Sequence, residues 1–406
     1  MTNLIKLDLG DGWKASRRDP DSVEPRKLPI GLFKKQCQTI PTLRFNLLTG
    51  LVEIDGVERQ SSELDRLYIK CEELGWTIGK IAARDAMVAA ATEKDSYHPV
   101  REYLEYVETL PDPIGIDRIA TTYLETKEPR YDKFLRATLI AGCQRIFEPG
   151  SKFDYVPVLK GPQGAKKSTF WEKLSGGYFN SSMPTDLGHK DFLMLINREW
   201  FYGLEELDHV TRSAMDGKLK NVISSQVDHY RAPYGSNTDR FPRQSIFVGT
   251  TNSDTFLKDS TGSRRFWIIE CPQDYANKGE TIPTERLERD RDRIWCGAMK
   301  AYRDGAKPIL DWVTEKESFI ANNKFKGDHP FKPHALVQIQ SIPLDTPFTA
   351  REILIRTRYI DELKLTNEDY RQMGIVLKEL GCVQAGRIKG QHHWKRPLDW
   401  SLEMVQ

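Results

Sequence analysis

The chain has 406 residues, of which 39% are hydrophobic and 29% charged, with a formal net charge of +2 at pH 7. This length predicts two or three domains, each able to bury a core. The near balance of charge excludes a uniformly basic chain, so any nucleic-acid contact must come from local patches. Six cysteines (Cys37, Cys71, Cys143, Cys271, Cys296, Cys382) are scattered with no C-x-x-C pair. That argues against a zinc finger or a disulfide framework and for a reducing cytosol. With no basic region before a long apolar run and no stretch of about 18 apolar residues, no signal peptide, no membrane span and a cytoplasmic location are expected.

Residues 1–42, rich in Pro, Asp, Lys and Arg, are expected to form a flexible arm. Residues 43–148 are expected to form a small α+β or mostly helical domain. A Thr49-Gly50 turn between two apolar runs reads as a hairpin, and Asp55-Gly56 closes a second turn. Apolar residues at helical spacing follow over 62–93. His98-Pro99 opens a helix, with proline in its first turn. Tyr131–Phe147 reads as a core helix, stopped by Glu148-Pro149-Gly150.

Residues 149–325 are expected to form an α/β domain. An apolar strand ending at Lys160 runs into Gly161-Pro-Gln163-Gly164-Ala-Lys166-Lys167-Ser168-Thr169 and then a helix. The pattern G-x-x-x-x-G-K-[ST] places a lysine six residues after the first glycine, as Lys167 follows Gly161. Backbone N–H groups of such a loop face a polyphosphate, the lysine reaches the β- and γ-phosphates, and the hydroxyl of Ser168 holds Mg²⁺. The glycine expected before the lysine is Lys166 here, and it is counted with Gly161, Gln163, Gly164, Lys167, Ser168 and Thr169 among the expected nucleotide-binding residues. A plain strand-to-helix turn is the alternative. About 40 residues on, Trp200–Leu204 is an apolar strand ending in Glu205 and Glu206. Carboxylates there suit Mg²⁺ and the water that attacks the γ-phosphate. A third apolar strand ends at Asn252, a candidate γ-phosphate sensor, and Arg264 and Arg265 precede a fourth. An arginine aimed at a neighbouring subunit's phosphates would be an arginine finger.

Between the second and third strands, Asp228 to Arg243 reads as a hairpin turning near Gly235. His229, Arg231, Arg240 and Arg243 supply charge for DNA, and Tyr230, Tyr234 and Phe241 supply stacking surfaces. The charged run 283–304 reads as a solvated helix face, and 322–333 as a linker. Residues 334–406 are expected to form a winged-helix-like domain. Thr366 and Asp369 cap one of its helices, and Arg387, Lys389, Lys395 and Arg396 lie on a strand pair turning at Gly390. DNA or a protein partner is its expected ligand. His392 and His393 are adjacent on a strand and point to opposite faces, so no metal is expected there.

Asp228-His-Tyr-Arg-Ala-Pro-Tyr-Gly, Gly249-Thr-Thr-Asn and Thr261-Gly-Ser-Arg-Arg-Phe-Trp, together with the P-loop, resemble the virulence-associated protein E family of phages and mobile genetic islands. That family is similar to superfamily 3 helicases. The resemblance implies an AAA+-like P-loop ATPase core that assembles as a homo-oligomeric, hexameric ring in the family's manner and works in replication of the element's DNA. It carries phosphate and Mg²⁺ binding onto Lys167 and Ser168, an acid onto Glu206, the sensor onto Asn252, and the finger onto Arg264 or Arg265. Two positions depart from it. Lys166 replaces a glycine, and Gly203 stands where an acid is expected, with Glu205 as the candidate replacement. The implied activity is ATP-dependent DNA unwinding or translocation. A nucleotide-binding initiator, loader or interaction module with little hydrolysis is the alternative.

Overall fold

The computed structural model describes residues 26–182, 190–205, 207, 216–231, 237–257, 263–272, 281–325, 331–358, 365–388 and 391–396. The chain divides into two units, Met1–Phe325 and Lys326–Gln406. Among the described residues no helix is long and apolar enough to cross a membrane, and the six cysteines are free and buried.

The first unit begins with β1 (Arg26–Lys27), α1 (Ile30–Gln38), β2 (Arg44–Asn46), β3 (Leu51–Ile54), β4 (Val57–Glu58), α2 (Ser61–Leu64), α3 (Leu67–Glu73), β5 (Trp76–Thr77), α4 (Lys80–Lys94) and β6 (Ser96–Tyr97). β4, β3, β2 and β6 form one sheet in that order. Asp55 and Gly56 both have positive φ, +56° and +72°, which gives the tight turn that joins β3 to β4. Residues 26–42 are not an arm. Leu28, Phe33 and Cys37 are buried in one core with Ala83, Met87 and Ala90 of α4, so this stretch has apolar surface to hide.

α5 (Pro99–Glu108), α6 (Ile119–Tyr123) and α7 (Pro129–Phe147) follow. His98 caps α5, its Nδ1 accepting from the Arg101 N–H at 3.2 Å. Then come β7 (Val156–Lys160), α8 (Lys167–Leu174), β8 (Phe179–Asn180), α9 (Lys190–Asn197), β9 (Phe201–Leu204), α10 (Asp216–Ser224), β10 (Val227–Tyr230), β11 (Asp239–Pro242), β12 (Ile246–Thr251), β13 (Phe266–Glu270), α11 (Thr284–Arg303) and α12 (Trp312–Ala321). Five strands form a parallel sheet in the order β13-β7-β12-β9-β8.

Side chains alternate across a strand, so each strand feeds two cores. Leu159, Phe201, Ile246, Val248, Trp267 and Ile269 face a core shared with α5, α7, α8 and α11. Val156, Val158, Tyr202, Leu204, Phe247, Phe266 and Ile268 face a second core with α9, α10 and Phe325. Because α5 and α7 share a core with the sheet, the boundary expected near residue 148 does not separate two cores. The charged run on α11 is also more than a solvated face. Leu287, Ile294, Trp295 and Met299 are buried, and Asp290 and Asp292 accept hydrogen bonds from Tyr123 and Tyr103, each at 2.8 Å.

The second unit contains α13 (Lys332–Gln340), β14 (Phe348–Thr349), α14 (Ala350–Arg358), α15 (Asn367–Glu379), β15 (Val383–Ile388) and β16 (Gln391–Lys395). The strands form an antiparallel sheet in the order β14-β16-β15. Thr366 and Asp369 form the reciprocal cap at the start of α15. Arg387 donates to His392 Nε2 at 3.1 Å, Lys395 Nζ lies 3.4 Å from Asp345, and Arg396 donates to the carbonyls of Gln340 and Ile342. The acid that pairs with Lys395 is thus supplied from outside the strand pair. Lys389 and Gly390 lie outside the described residues.

Candidate nucleotide site

β7 is buried along its length and sits between β12 and β13. A loop leaving its carboxyl end therefore emerges within a parallel sheet, beside the point where the chain's path switches sides and ligands bind in such sheets. Gly161 opens this loop. A Cβ on it would lie 3.1 Å from Cβ of Cys271, so a side chain here would crowd the residue that follows β13. Gly164 and Lys166 have φ of +81° and +60°. Left-handed residues beside right-handed ones turn successive N–H groups toward one side, which makes an anion-binding concavity. Gln163 and Gly164 are exposed on the loop. Ser168 and Thr169 are half-buried in the first turn of α8, beside the positive end of its dipole.

Two indoles fix α8. Trp171 Nε1 donates to the Gly249 carbonyl of β12 at 3.2 Å, and Trp295 Nε1 of α11 donates to the Leu174 carbonyl at 2.7 Å. Lys167, the first residue of α8, is buried. Its ammonium donates to the carbonyls of Gly161 and Pro162 at 2.9 and 2.7 Å and to Asn252 Oδ1 at 2.5 Å. Burial pushes this ammonium below the usual lysine range. All three of its donors have oxygen acceptors, so an arriving phosphate exchanges with groups already in place. Asn252 directly follows β12, next to β7 in the sheet, and the two strands' ends bring it to Lys167. Glu205 follows β9, which flanks β12 on its other side, so it lies at the same end of the sheet. Glu206 lies outside the described residues.

A phosphate-bearing ligand fits this donor set: a curled loop of N–H groups, a helix start and one buried lysine. A Ser168 hydroxyl and a Glu205 carboxylate are hard oxygen donors of the kind Mg²⁺ takes alongside phosphates. Among the described residues no group of three or more His, Cys, Asp or Glu side chains is placed to hold a metal.

Residues 111–327 match the model of the virulence-associated protein E-like domain, more than half of the chain. The chain belongs to this family. No curated protein matches. Among solved structures, an A-form apo structure of the NrS-1 C-terminal region has a TM-score of 0.45 at 12% identity, covering 90% of this chain and 99% of that one. A second apo structure of that region gives 0.41 at 12% identity, with 88% of each chain covered.

In this member of the family, Lys166 occupies a backbone conformation that glycine adopts freely. A lysine held there costs on the order of 1 kcal/mol. Its side chain leaves the loop: Lys166 Nζ lies 2.9 Å from Glu285 Oε1 in the first turn of α11. The structure therefore does not bring the Lys166 ammonium to Lys167, although it was expected among the phosphate ligands. Gly203 has an equally local cause. A Cβ there would lie 2.7 Å from the Phe179 ring and 3.0 Å from Ser181 Cβ, so an acid at this position would have to displace Phe179 of β8.

Arg264 and Arg265 precede β13. Phe266 pairs with Val156, the first residue of β7, so both arginines lie at the opposite end of the sheet from Gly161. Five parallel residues span about 16 Å. Arg265 Nε donates to Ser224 Oγ of α10 at 3.2 Å, whereas Arg264 is exposed. β10 and β11 form the expected hairpin, with His229 opposite Arg240. His229, Arg231 and Arg240 are exposed, while 232–236, including Tyr234 and Gly235, lie outside the described residues. Arg243 is a correction. It is fully buried, ion-paired with Asp228, and donates to the Val222 carbonyl, so it anchors the hairpin and has no face left for DNA. Tyr230 and Phe241 stack on each other at 4.0 Å and are no open platform for bases. Sequence reasoning also missed Glu285, Trp171 and Asp254, whose partners lie far along the chain.

Proposed function

We propose that this protein is a ring-forming, ATP-dependent DNA helicase or translocase, acting in the host cytoplasm in replication of a phage or mobile genetic element. The observation that carries this reading is the meeting of Lys167 with Asn252 at the carboxyl ends of adjacent strands. A P-loop lysine and a polar strand-end residue that share one hydrogen bond form a switch. A γ-phosphate competes for both, and its loss lets them re-pair. On this reading ATP is held by the N–H groups of 161–167 with Lys167, and Mg²⁺ by Ser168 and Glu205, with Glu206 beside it. The bound metal supplies charge neutralisation on the phosphates. Asn252 lies at the far end of β12 from the root of the β10–β11 hairpin, so a shift of this strand reaches the residues offered to DNA. The AAA+-like assignment of the core and the winged-helix-like assignment of the second unit belong to the same proposal.

A second reading, a nucleotide-binding initiator or loader with little hydrolysis, draws on Lys166 and Gly203, which remove the loop glycine and a strand-end acid. Titration with a fluorescent ATP analogue and a forked-duplex unwinding assay tests both. Lys167→Ala is expected to weaken binding at least about tenfold, as loss of one charge-assisted contact does, and to abolish unwinding. Unchanged binding in that variant sinks both readings. Binding without unwinding by the wild-type protein leaves the second.

A further inference from the structure

Lys160, the last residue of β7, is an anomaly in its setting. Alternation along β7 puts Val156, Val158 and Lys160 on one face, so a lysine stem ends a row of core valines. Its residue is only 5% exposed. A buried ammonium is costly unless it is paired. It reaches Asp254 Oδ1 at 2.7 Å, and its Nζ lies 5.4 Å from the centre of the Phe325 ring. Asp254 itself is 89% exposed at its side chain, so among the described residues this contact is what holds its carboxylate inward.

Asp254 is two residues beyond Asn252. The segment between them is tightly turned: Ser253 N–H donates to Thr251 Oγ1 at 3.1 Å, and Thr255 N–H to Ser253 Oγ at 3.3 Å. Farther on, the N–H groups of Phe256 and Leu257 both donate to the Phe325 carbonyl, at 3.1 and 3.0 Å. The two flanks of the loop therefore hold neighbouring points of one short strap. Lys167, just past the loop, holds Asn252, and Lys160, just before it, holds Asp254. We propose that Asp254 and Lys160 are a positioning pair, which fixes the strap 252–257 so that the Asn252 carboxamide stays on the Lys167 ammonium. For its effect on turnover this rests on the nucleotide reading above. Its effect on the Lys167 contact does not.

The consequence is specific. Without the pair, the strap still has its Phe325 anchor, but the stretch next to Asn252 loses its tie to β7. Asn252 then leaves Lys167 more often, and the sensor no longer reports what the lysine holds. Asp254 touches no substrate on this account. It acts through Asn252.

The experiment combines amine labelling of Lys167, read by mass spectrometry on the nucleotide-free full chain, with ATP-analogue affinity and turnover. Asp254→Asn is suited to this because the lost carboxylate is on an exposed side chain and opens no cavity, and urea denaturation of the same variant checks that the fold survives the unpaired Lys160 ammonium. The expected result is a severalfold rise in Lys167 labelling, matching Asn252→Ala, with no further rise in the double variant, since two changes acting on one contact are not additive. Asp254→Glu is expected to restore protection. Turnover should fall severalfold in Asp254→Asn while the dissociation constant for the ATP analogue stays within about twofold of wild type. Wild-type labelling in Asp254→Asn, or additive labelling in the double variant, overturns the proposal. If the wild-type protein binds no nucleotide, the functional reading fails, and the labelling pattern still decides the role of the pair.

Discussion

Lys166 shows how one side chain can be displaced by its own backbone. Its φ of +60° is of the kind that turns a loop's N–H groups toward one side. The ammonium goes to Glu285, whose carboxyl Lys166 holds below its usual range. Both side chains are substantially exposed, so this contact directs the lysine more than it stabilises the fold. Lys166→Gly is therefore expected to relieve the left-handed strain without removing a phosphate ligand. ATP turnover should stay equal or rise, and affinity for the analogue should be retained. A loss of affinity of about tenfold or more in that variant would show that the Lys166 ammonium itself reaches the phosphates.

At the scale of elements, the hairpin is defined by its root. Asp228 accepts from Arg243 Nε at 2.9 Å and from Asn197 Nδ2 at 2.8 Å, all within the fold. Removing one partner of a buried pair leaves an uncompensated charge, so Arg243→Ala should cost about 3–5 kcal/mol in urea denaturation. A loss below about 1 kcal/mol, the range of surface pairs, would return Arg243 to the list of DNA contacts. The same element shows what could be read in advance. The runs 44–54, 98–107, 131–147 and 366–379 carry their signals locally, in turn glycines, a proline in the first turn, a core period and a capping pair, and they appear where expected. So do the strand, loop and helix around Lys167. His229 and the three arginines of 231–243 look alike as DNA contacts in the sequence. Which of them is buried depends on strand register and on Asp228, 15 residues away. The Lys166–Glu285 contact spans 119 residues, and no local pattern marks it. For the same reason α11 looked like a solvated face. Its charges are conspicuous, while the tyrosines that bond to them lie on α5 and α6.

For the whole molecule, the position of Arg264 decides how a working site is completed. The P-loop and Asn252 lie at one end of the parallel sheet and Arg264 at the other, so no local rearrangement brings Arg264 to its own subunit's phosphates. If it acts as a finger, it must act on a neighbour. The two surfaces involved are different, which makes the contact heterologous, and heterologous contacts that close give rings. The prediction concerns mixtures. Subunits carrying Arg264→Ala and subunits carrying Lys167→Ala are each expected to be inactive alone. Mixed in equal amounts, they place an intact Lys167 opposite an intact Arg264 at about a quarter of the interfaces. ATP turnover should therefore reappear in the mixture, and should rise with protein concentration as assembly proceeds. Arg265→Ala, whose side chain is tied to Ser224 within its own subunit, should instead retain turnover without a partner. A mixture as inactive as its components would argue against a site shared between subunits, and full turnover by Arg264→Ala alone would place Arg264 outside the reaction.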